Sequence, residues 1–318
     1  MKTFNKIILI FILELLTIFF IWQAAGRFVW ADVYYKHLII AKIKKDWPSM
    51  LSNYQKIFFY DPNEFFYQTR YAKDLIWAVD LYHDKKGKIA ILNQAIDELE
   101  KINKQREIFQ ADLILFPAYA QKASLTLDEN DFQKADESFK HLKELSPNYP
   151  HYYKDWAQLK FYELKYEEAE ELCLEALKLY PDVNEARLNE DHKAQLAEKR
   201  AEIYELLGEI YFKKKQYKEA EQFYRQAIKL SPFKKSGLYK KIADIYYLEK
   251  NFEEAIEINI HGFNLNPKDP IWSYSISFLY NEALDRGEAR KWAKICQELK
   301  PEDLEIQNYL KNFNSLIL

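Results

Sequence analysis

Residues 201–232 read AEIYELLGEIYFKKKQYKEAEQFYRQAIKLSP. Tyr204, Leu207 and Tyr211 recur at spacings of three and four, which is the pattern of one apolar stripe along a helix. A second stretch with Ala220 near its start has the same helical character and ends at a proline. The segment therefore predicts two helices, and the apolar stripe is interpreted as core.

Each predicted helix carries one small residue that matters for packing. Gly208 lies in the first and Ala220 in the second. Two helix axes approach to about 8 to 10 Å only where the side chains at the crossing are short. We therefore expect these helices to form an antiparallel pair that crosses at the two small residues.

The same landmarks recur through the C-terminal half of the chain. Three alanines are each followed 12 residues later by a proline, in the pairs Ala220 and Pro232, Ala255 and Pro267, and Ala289 and Pro301. The steps between the alanines are 35 and 34 residues. A period of about 34 residues is typical of arrays built from helical hairpins.

The order of aromatic, small and proline landmarks resembles the tetratricopeptide repeat. The resemblance covers residues 111–301 and implies an all-α fold, a right-handed superhelical solenoid of antiparallel helix pairs. Besides 201–232, pairs are predicted at 116–147, 150–181, 236–267 and 270–301. An inserted helix extension is predicted at 182–200, and it is interpreted either as a protruding contact arm or as a solvated extension.

Both ends of this array are less regular. Residues 28–110 predict two irregular helix pairs of the same kind, with breaks near Asp46 and Lys85. Residues 302–318 carry apolar residues at helical spacing and no partner helix. A solenoid needs a cap on its last exposed face, so this segment is predicted to be a capping helix.

Residues 7–25 read IILIFILELLTIFFIWQAA, a run of 19 residues with one charge. A helix rises about 1.5 Å per residue, so this run matches a hydrocarbon core about 30 Å thick. It predicts one transmembrane helix. A cleaved signal peptide is the alternative, because Ala24 and Gly26 offer small residues to a peptidase, although the apolar run is long for a signal core.

Charges near this run predict its orientation. Lys2, Lys6 and the terminal amine lie close together before the run. The positive charges behind it, Arg27, Lys36 and Lys42, are spread over a longer stretch. Residues 1–6 are therefore expected in the cytoplasm and the solenoid outside it. Glu14 lies in the middle of the span, where an ionised carboxylate is costly. It is interpreted either as an intramembrane contact with another membrane protein or as a tolerated, protonated glutamate.

Composition and motifs exclude several classes of function. The net charge is −3 and no basic stripe appears, which argues against a nucleic-acid partner. The six histidines lack the close spacing of metal ligands, and no glycine-rich phosphate loop is present. We therefore predict no metal, no cofactor and no catalytic residue. Cys173 and Cys296 lie three repeats apart, too far for a disulfide.

Binding of a protein or peptide is the expected activity, since arrays of the resembled family bind partners along the concave surface lined by their first helices. Aromatic residues off the packing stripe are the candidate anchors on this surface. They are Phe161, Tyr162, Phe212, Tyr247, Tyr274 and Phe278. The alternative interpretation is that these rings pack between neighbouring repeats.

A second resemblance concerns the region behind the predicted span. Residues 31–76 are similar to the soluble tails of bacterial O-antigen ligase or polymerase-like membrane proteins. That resemblance implies an alternative function, in which the chain is a detached accessory tail of such a multi-span membrane protein in bacterial cell-envelope polysaccharide assembly.

Overall fold

The structure is a computed structural model, and it describes residues 2–105, 109–183, 189–232, 237–303 and 307–308. These residues contain fourteen α-helices, one short 3-10 helix and no strand. The chain divides into two compact units, residues 1–147 and 148–318. The prediction of an all-α chain of antiparallel helix pairs is confirmed.

Unit 1 contains three helix pairs among its described residues. Its helices are α1 (Lys2–Ile43), α2 (Trp47–Tyr60), α3 (Phe65–Ala78), a 3-10 turn (Val79–Leu81), α4 (Lys85–Gln105), α5 (Phe109–Thr126) and α6 (Glu129–Leu145). Helices α1 and α2, α3 and α4, and α5 and α6 pack as pairs. The Asp46 side chain accepts a hydrogen bond from the Ser49 backbone N–H at 3.1 Å and so caps the start of α2.

Unit 2 contains four helix pairs among its described residues. Its helices are α7 (Pro150–Tyr162), α8 (Tyr166–Leu179), α9 (Glu190–Lys213), α10 (Tyr217–Leu230), α11 (Leu238–Leu248), α12 (Phe252–Leu265), α13 (Pro270–Glu282) and α14 (Arg286–Leu299). Each pair joins two helices that are consecutive in the chain. Helix α9 has 24 residues, because the insertion before residue 201 lengthens its N-terminal end.

Two predicted segments fall partly outside the described residues. Of the insertion at 182–200, residues 184–188 are not described, and the rest includes the first turns of α9. Of the predicted capping helix at 302–318, the description covers residues 302, 303, 307 and 308. The capping role therefore stays a prediction.

Among the described residues of unit 2, the first helix of each pair ends with the same backbone motif, which leads into the second helix. After α9, Lys215 has a φ of 61°, and the Gln216 N–H donates to the Tyr211 carbonyl at 2.9 Å. This 6→1 bond, with a left-handed residue just past the helix end, is the Schellman motif. The left-handed positions of the other three pairs are Leu164, Lys250 and Leu284. Side chains there are strained relative to glycine, so the turn is imposed by the packing of the helices it joins.

Gly208 allows the close approach of α9 and α10. A Cβ atom on Gly208 would lie 2.4 Å from Cε1 of Tyr224, whose ring is buried between the two helices. Gly262 likewise allows the close approach of α12 to α13 of the next pair. A Cβ atom on Gly262 would lie 2.4 Å from Cζ3 of Trp272 on α13. The expected crossing at Gly208 is thus present, and an aromatic ring fills the space that the missing side chain leaves.

Helix α1 has two different parts. Its side chains from Phe11 to Ile21 are exposed, and the stretch Phe11–Ile43 is long and apolar enough to cross a membrane by length and composition. From Ala31 onward one face of the same helix is buried against α2. The candidate span and the first helix of unit 1 are therefore one continuous helix.

We expect Gly208→Ala to destabilise unit 2 by about 1 to 3 kcal/mol, because the added methyl group collides with the buried Tyr224 ring. The matched control is Gly287→Ala, where the nearest atom to a new Cβ lies at 3.5 Å and alanine favours the helix. Urea unfolding of both variants measures the difference. Equal stability of the two variants would contradict the role assigned to Gly208.

Candidate functional site

The six predicted anchor residues lie on first helices of unit 2, with different degrees of exposure. Tyr162 is 45% exposed and Tyr274 is 39% exposed. Phe161, Phe212, Tyr247 and Phe278 are half-buried. Each ring therefore leaves some of its surface accessible, and the assignment of these residues to a binding surface stays a prediction.

The half-buried rings also take part in packing. Phe212 lies 5.5 Å from the Tyr217 ring at the start of α10. Tyr247 lies 6.0 Å from Phe252 within its own pair and 5.6 Å from Phe278 on α13. Tyr247 and Phe278 thus link two neighbouring pairs. Loss of these rings is therefore expected to affect stability, whereas Tyr162 and Tyr274 are more exposed.

Charged residues beside these aromatics are largely paired. Glu202 lies 3.4 Å from the ammonium group of Lys154 on α7 and also contacts Lys199. Glu209 on α9 forms an ion pair with Lys241 on α11. The acidic side chains therefore cross from one first helix to the next, and this first-helix surface mixes both signs of charge.

A further ion pair between helix pairs joins Glu170 to Lys214, and a tyrosine hydroxyl also bonds to the same carboxylate. Glu170 on α8 accepts hydrogen bonds from the Tyr211 hydroxyl at 2.6 Å and from the Lys214 ammonium group at 3.0 Å. The bond to Glu170, together with burial, raises the pKa of Tyr211 to about 12. Burial alone would raise the pKa of Glu170, but the two donors lower it overall. The contact fixes the end of α9 against α8.

Lys160 occupies a position in α7 where an aromatic residue is usual in the repeat, and its side chain is only 2% exposed. Its ammonium group lies 2.9 Å from Glu163 and 4.0 Å from Glu168. It also lies 5.6 Å from the centre of the Trp156 ring, within the range of a cation–π contact. The aliphatic part of the lysine thus replaces an apolar core residue while its charge is satisfied locally.

Unit 1 contains a groove that the sequence did not indicate. It lies between the second helices α2 and α4, above α3, and its volume is about 570 Å³. Its apolar walls come mainly from Trp47, Tyr54, Phe58, Tyr71 and Tyr82. We call it the α2–α4 groove. A cavity of this size and aromatic content suits a small ligand or one segment of a peptide.

Polar groups of the α2–α4 groove come from amide and charged side chains. They are Gln55, Gln68, Gln94, Glu98 and Lys101. The Gln94 amide donates to the Tyr71 hydroxyl at 2.8 Å, and the Gln68 amide donates to the Pro62 carbonyl at 2.7 Å. The groove therefore offers several hydrogen-bonding groups beside its aromatic walls.

A buried carboxylate holds the floor of this groove in place. Asp74 on α3 is fully buried, accepts a hydrogen bond from the Tyr54 hydroxyl at 2.8 Å and forms an ion pair with Lys42 on α1. Burial, followed by the charge of Asp74, raises the pKa of Tyr54 well above its ordinary value. The network joins α1, α2 and α3, so it fixes the wall and floor of the groove relative to α1.

A second cavity in unit 1 also lies between two second helices, here those of the next two pairs. It lies between α4 and α6, above α5, and has a volume of about 520 Å³. Its lining mixes Glu100 and Glu137 with Lys104 and Lys134, so neither sign of charge dominates. In unit 1 both cavities thus lie between second helices, whereas the expected anchors lie on first helices.

The apolar residues that α2 contributes to the α2–α4 groove recur at helical spacing in the sequence. Trp47, Leu51, Tyr54 and Phe58 follow one another at spacings of four, three and four along α2. That spacing indicates a helix face, but it does not distinguish a core face from a groove wall. Whether the face is buried or lines a groove depends on the distance between α2 and α4, and the periodicity of the sequence does not determine that distance.

Among the described residues, no group of three or more His, Cys, Asp and Glu side chains is placed to hold a metal ion. Cys173 and Cys296 are both buried and free. Glu14 is exposed on α1, and nearby the Thr17 hydroxyl donates to the Leu13 carbonyl at 2.9 Å. The Glu14 side chain therefore faces whatever surrounds this part of the helix.

The tetratricopeptide repeat family model matches residues 116–149 and 201–234. No curated protein matches the chain. These two segments correspond to the pairs α5–α6 and α9–α10, and both pairs were expected from the sequence. The prediction of this repeat is confirmed.

Several solved structures are similar to the chain. BtubC (BKLC) from P. vanneervenii has a TM-score of 0.52 and 16% identity, covering 69% of this chain and 92% of its own. The C-terminal part of a TPR repeat-containing protein from Cytophaga hutchinsonii has a TM-score of 0.50 and 21% identity, covering 63% and 70%. PilF from Pseudomonas aeruginosa has a TM-score of 0.49 and 17% identity, covering 77% and 99%. At such identities the likeness concerns the fold.

We expect Glu163→Gln to destabilise unit 2 by about 3 kcal/mol, because it removes the nearest countercharge of the buried Lys160. Glu168→Gln is the matched control, since Glu168 is more exposed and lies 4.0 Å from the same ammonium group. Thermal and urea unfolding of both variants test the difference. A larger loss for Glu168→Gln would contradict the assigned pairing.

Proposed function

Because the chain carries tetratricopeptide repeats, we propose that it is a membrane-anchored scaffold that binds a partner protein or peptide near the bilayer. The repeat favours protein–protein interaction, and proteins built from it are generally not catalytic. The observation that carries the membrane part of the proposal is helix α1. Its exposed apolar half continues without a break into the first helix of unit 1.

The binding surface proposed in unit 2 consists of the first-helix aromatics. Tyr162 and Tyr274 provide the most exposed rings, and Phe161, Phe212, Tyr247 and Phe278 provide partly covered ones. The mixed charges around them favour a ligand with both apolar and polar side chains. Such surfaces bind through a few aromatic anchors, surrounded by contacts of little energetic weight.

The orientation that we propose places the N-terminus in the cytoplasm and the repeats outside it. Lys2 and Lys6 precede the apolar stretch closely, and positive charge is retained on the cytoplasmic side. On this proposal, residues 7–25 span the bilayer. The signal-peptide alternative predicts a mature N-terminus just after Ala24 or Gly26 instead.

Glu14 favours a second candidate function. An exposed carboxylate in an apolar span is costly unless it is protonated or meets a partner. A multi-span membrane protein would provide such a partner, and the chain would then act as a detached accessory tail of an O-antigen ligase or polymerase-like enzyme. A Glu14→Leu variant that loses co-purification with a multi-span protein would support this candidate.

We expect the full-length chain to stay in the membrane pellet during alkaline extraction, because its apolar helix spans the bilayer. The double variant Leu16→Arg and Ile18→Arg should be released, since each arginine near the centre of a span costs about 2.5 to 3.5 kcal/mol. Release of the unmodified chain, or a mature N-terminus at Ala25 or Arg27, would contradict the anchor.

We expect Tyr274→Ala to weaken partner binding by about 1 to 3 kcal/mol, with a smaller loss of stability than Phe212→Ala, because Tyr274 is 39% exposed whereas Phe212 is half-buried. Phe212→Ala should weaken binding and also lower the melting temperature, because its ring packs on Tyr217. Photocrosslinking from position 274 identifies the partner, and titration of the purified partner measures the affinities.

Leu265→Ala is the matched control, since Leu265 is exposed to a similar degree as Tyr274 and belongs to the second helix α12. It should bind as the parent chain does. Equal affinities for the Tyr274→Ala variant and the parent chain would remove Tyr274 from the binding surface.

A further inference from the structure

The first helix pair begins very close to the end of the candidate span. Among the described side chains of α1, Ala31 is the first that is buried. Ala31 lies six positions after Ala25, which is a rise of about 9 Å along the helix. The headgroup layer on each side of a bilayer is about 5 to 7 Å thick. A chain anchored through residues 7–25 therefore has no free linker between the membrane and the point where α1 begins to pack on α2.

Apolar and aromatic residues with accessible surface lie on α1 and α2 at this junction. Phe28 is 61% exposed and Val29 is 62% exposed, and Trp30 follows them on α1. On α2, Phe59 is 74% exposed and is followed by Tyr60. We call these five residues the interfacial collar. Exposed apolar groups on a protein surface are costly when they form a patch, and such patches mark contact sites.

Stacked rings place the α2 residues of the collar at the level of the α1 residues. Tyr60 stacks on Trp30 at 6.3 Å and on Tyr34 at 5.9 Å. Phe59 meets Tyr60 edge to face at 5.1 Å. Because α2 runs antiparallel to α1, its C-terminal end returns toward the membrane-directed end of α1. The collar is thus a single layer that spans two helices.

Charged residues limit how deeply this layer can enter a bilayer. Burial and the charge of Glu64 raise the pKa of Asp61, whereas Arg27 is close enough to lower it in part. The turn between α2 and α3 therefore lies beside Arg27, the first residue after Gly26. Charged side chains at this level stay hydrated, while tryptophan and tyrosine favour the boundary between headgroups and acyl chains.

We propose that the interfacial collar contacts the headgroup layer of the bilayer and holds the first helix pair against the membrane surface. The proposal rests on the membrane anchor proposed above. A lipid surface fits better than a protein partner because the α1 residues of the collar lie on the same helix as the exposed apolar side chains from Phe11 to Ile21. Its Trp and Tyr residues also carry polar ends that water and headgroups can satisfy.

This contact has a mechanical consequence within unit 1. The collar belongs to α1 and α2, and the ion pair of Lys42 with the buried Asp74 joins α1 to α3. A membrane contact at the collar therefore sets the tilt of these three helices. It also orients the α2–α4 groove, because α2 and α3 form one wall and the floor of that groove.

The test measures depth in the bilayer at single positions. The full chain is produced as Phe59→Cys, with Leu127→Cys as an exposed control in unit 1 and Ile18→Cys as a control in the span. The two native cysteines are buried, so the introduced thiols take the label. Each variant carries a nitroxide label and is reconstituted into nanodiscs of phosphatidylcholine and phosphatidylglycerol. Collisions with oxygen and with a water-soluble nickel complex are then compared.

We expect position 18 to show strong oxygen and weak nickel contact, and position 127 to show the reverse. Position 59 should lie between them, with a loss of nickel accessibility relative to position 127. If position 59 matches position 127 while position 18 is in hydrocarbon, the collar proposal is wrong and the anchor stands. If position 18 is also in water, the anchor itself fails. Shielding of position 59 from both reagents would instead indicate a covering protein and overturn the lipid contact.

Discussion

The close approach of two helices within each pair is the constraint on which the rest of the fold depends. In α9 and α10 this approach requires Gly208, because any side chain there would occupy the space of the Tyr224 ring. The ring in turn joins a core formed by α9, α10 and α11. One missing side chain thus lets a large aromatic residue fill the centre of a pair. Since each pair packs on its neighbours, an error in one crossing would shift the next.

The turns within the pairs follow from that packing rather than from local preference. Leu164 and Leu284 adopt a left-handed conformation that glycine would reach at lower cost. They are held there because the following N–H groups bond back to the carbonyls of Lys160 and Tyr280, at 2.9 Å each. The satisfied helix ends and the packed helices offset the strain. Similar turns then give neighbouring pairs a similar geometry.

Sequence periodicity predicted the helix pairs well because small residues and prolines recur at fixed intervals. The pairs at 116–147 and 201–232 are examples, and both match the repeat family. Lys160 shows the limit of this reasoning. Its polarity suggests the surface, but Glu163 and Trp156 satisfy it in the core. Such partners come from side-chain geometry that spacing alone does not contain.

The α2–α4 groove was missed for a related reason. The aromatic spacing along α2 is the same for a core face and a groove wall, and only the separation of α2 from α4 distinguishes them. That separation depends on the position of α3, which the buried Asp74 fixes through Tyr54 and Lys42. An aspartate in the middle of an irregular pair carries no sequence signal for this role. The groove is therefore a product of side-chain partners that the periodicity of this part of the chain does not encode.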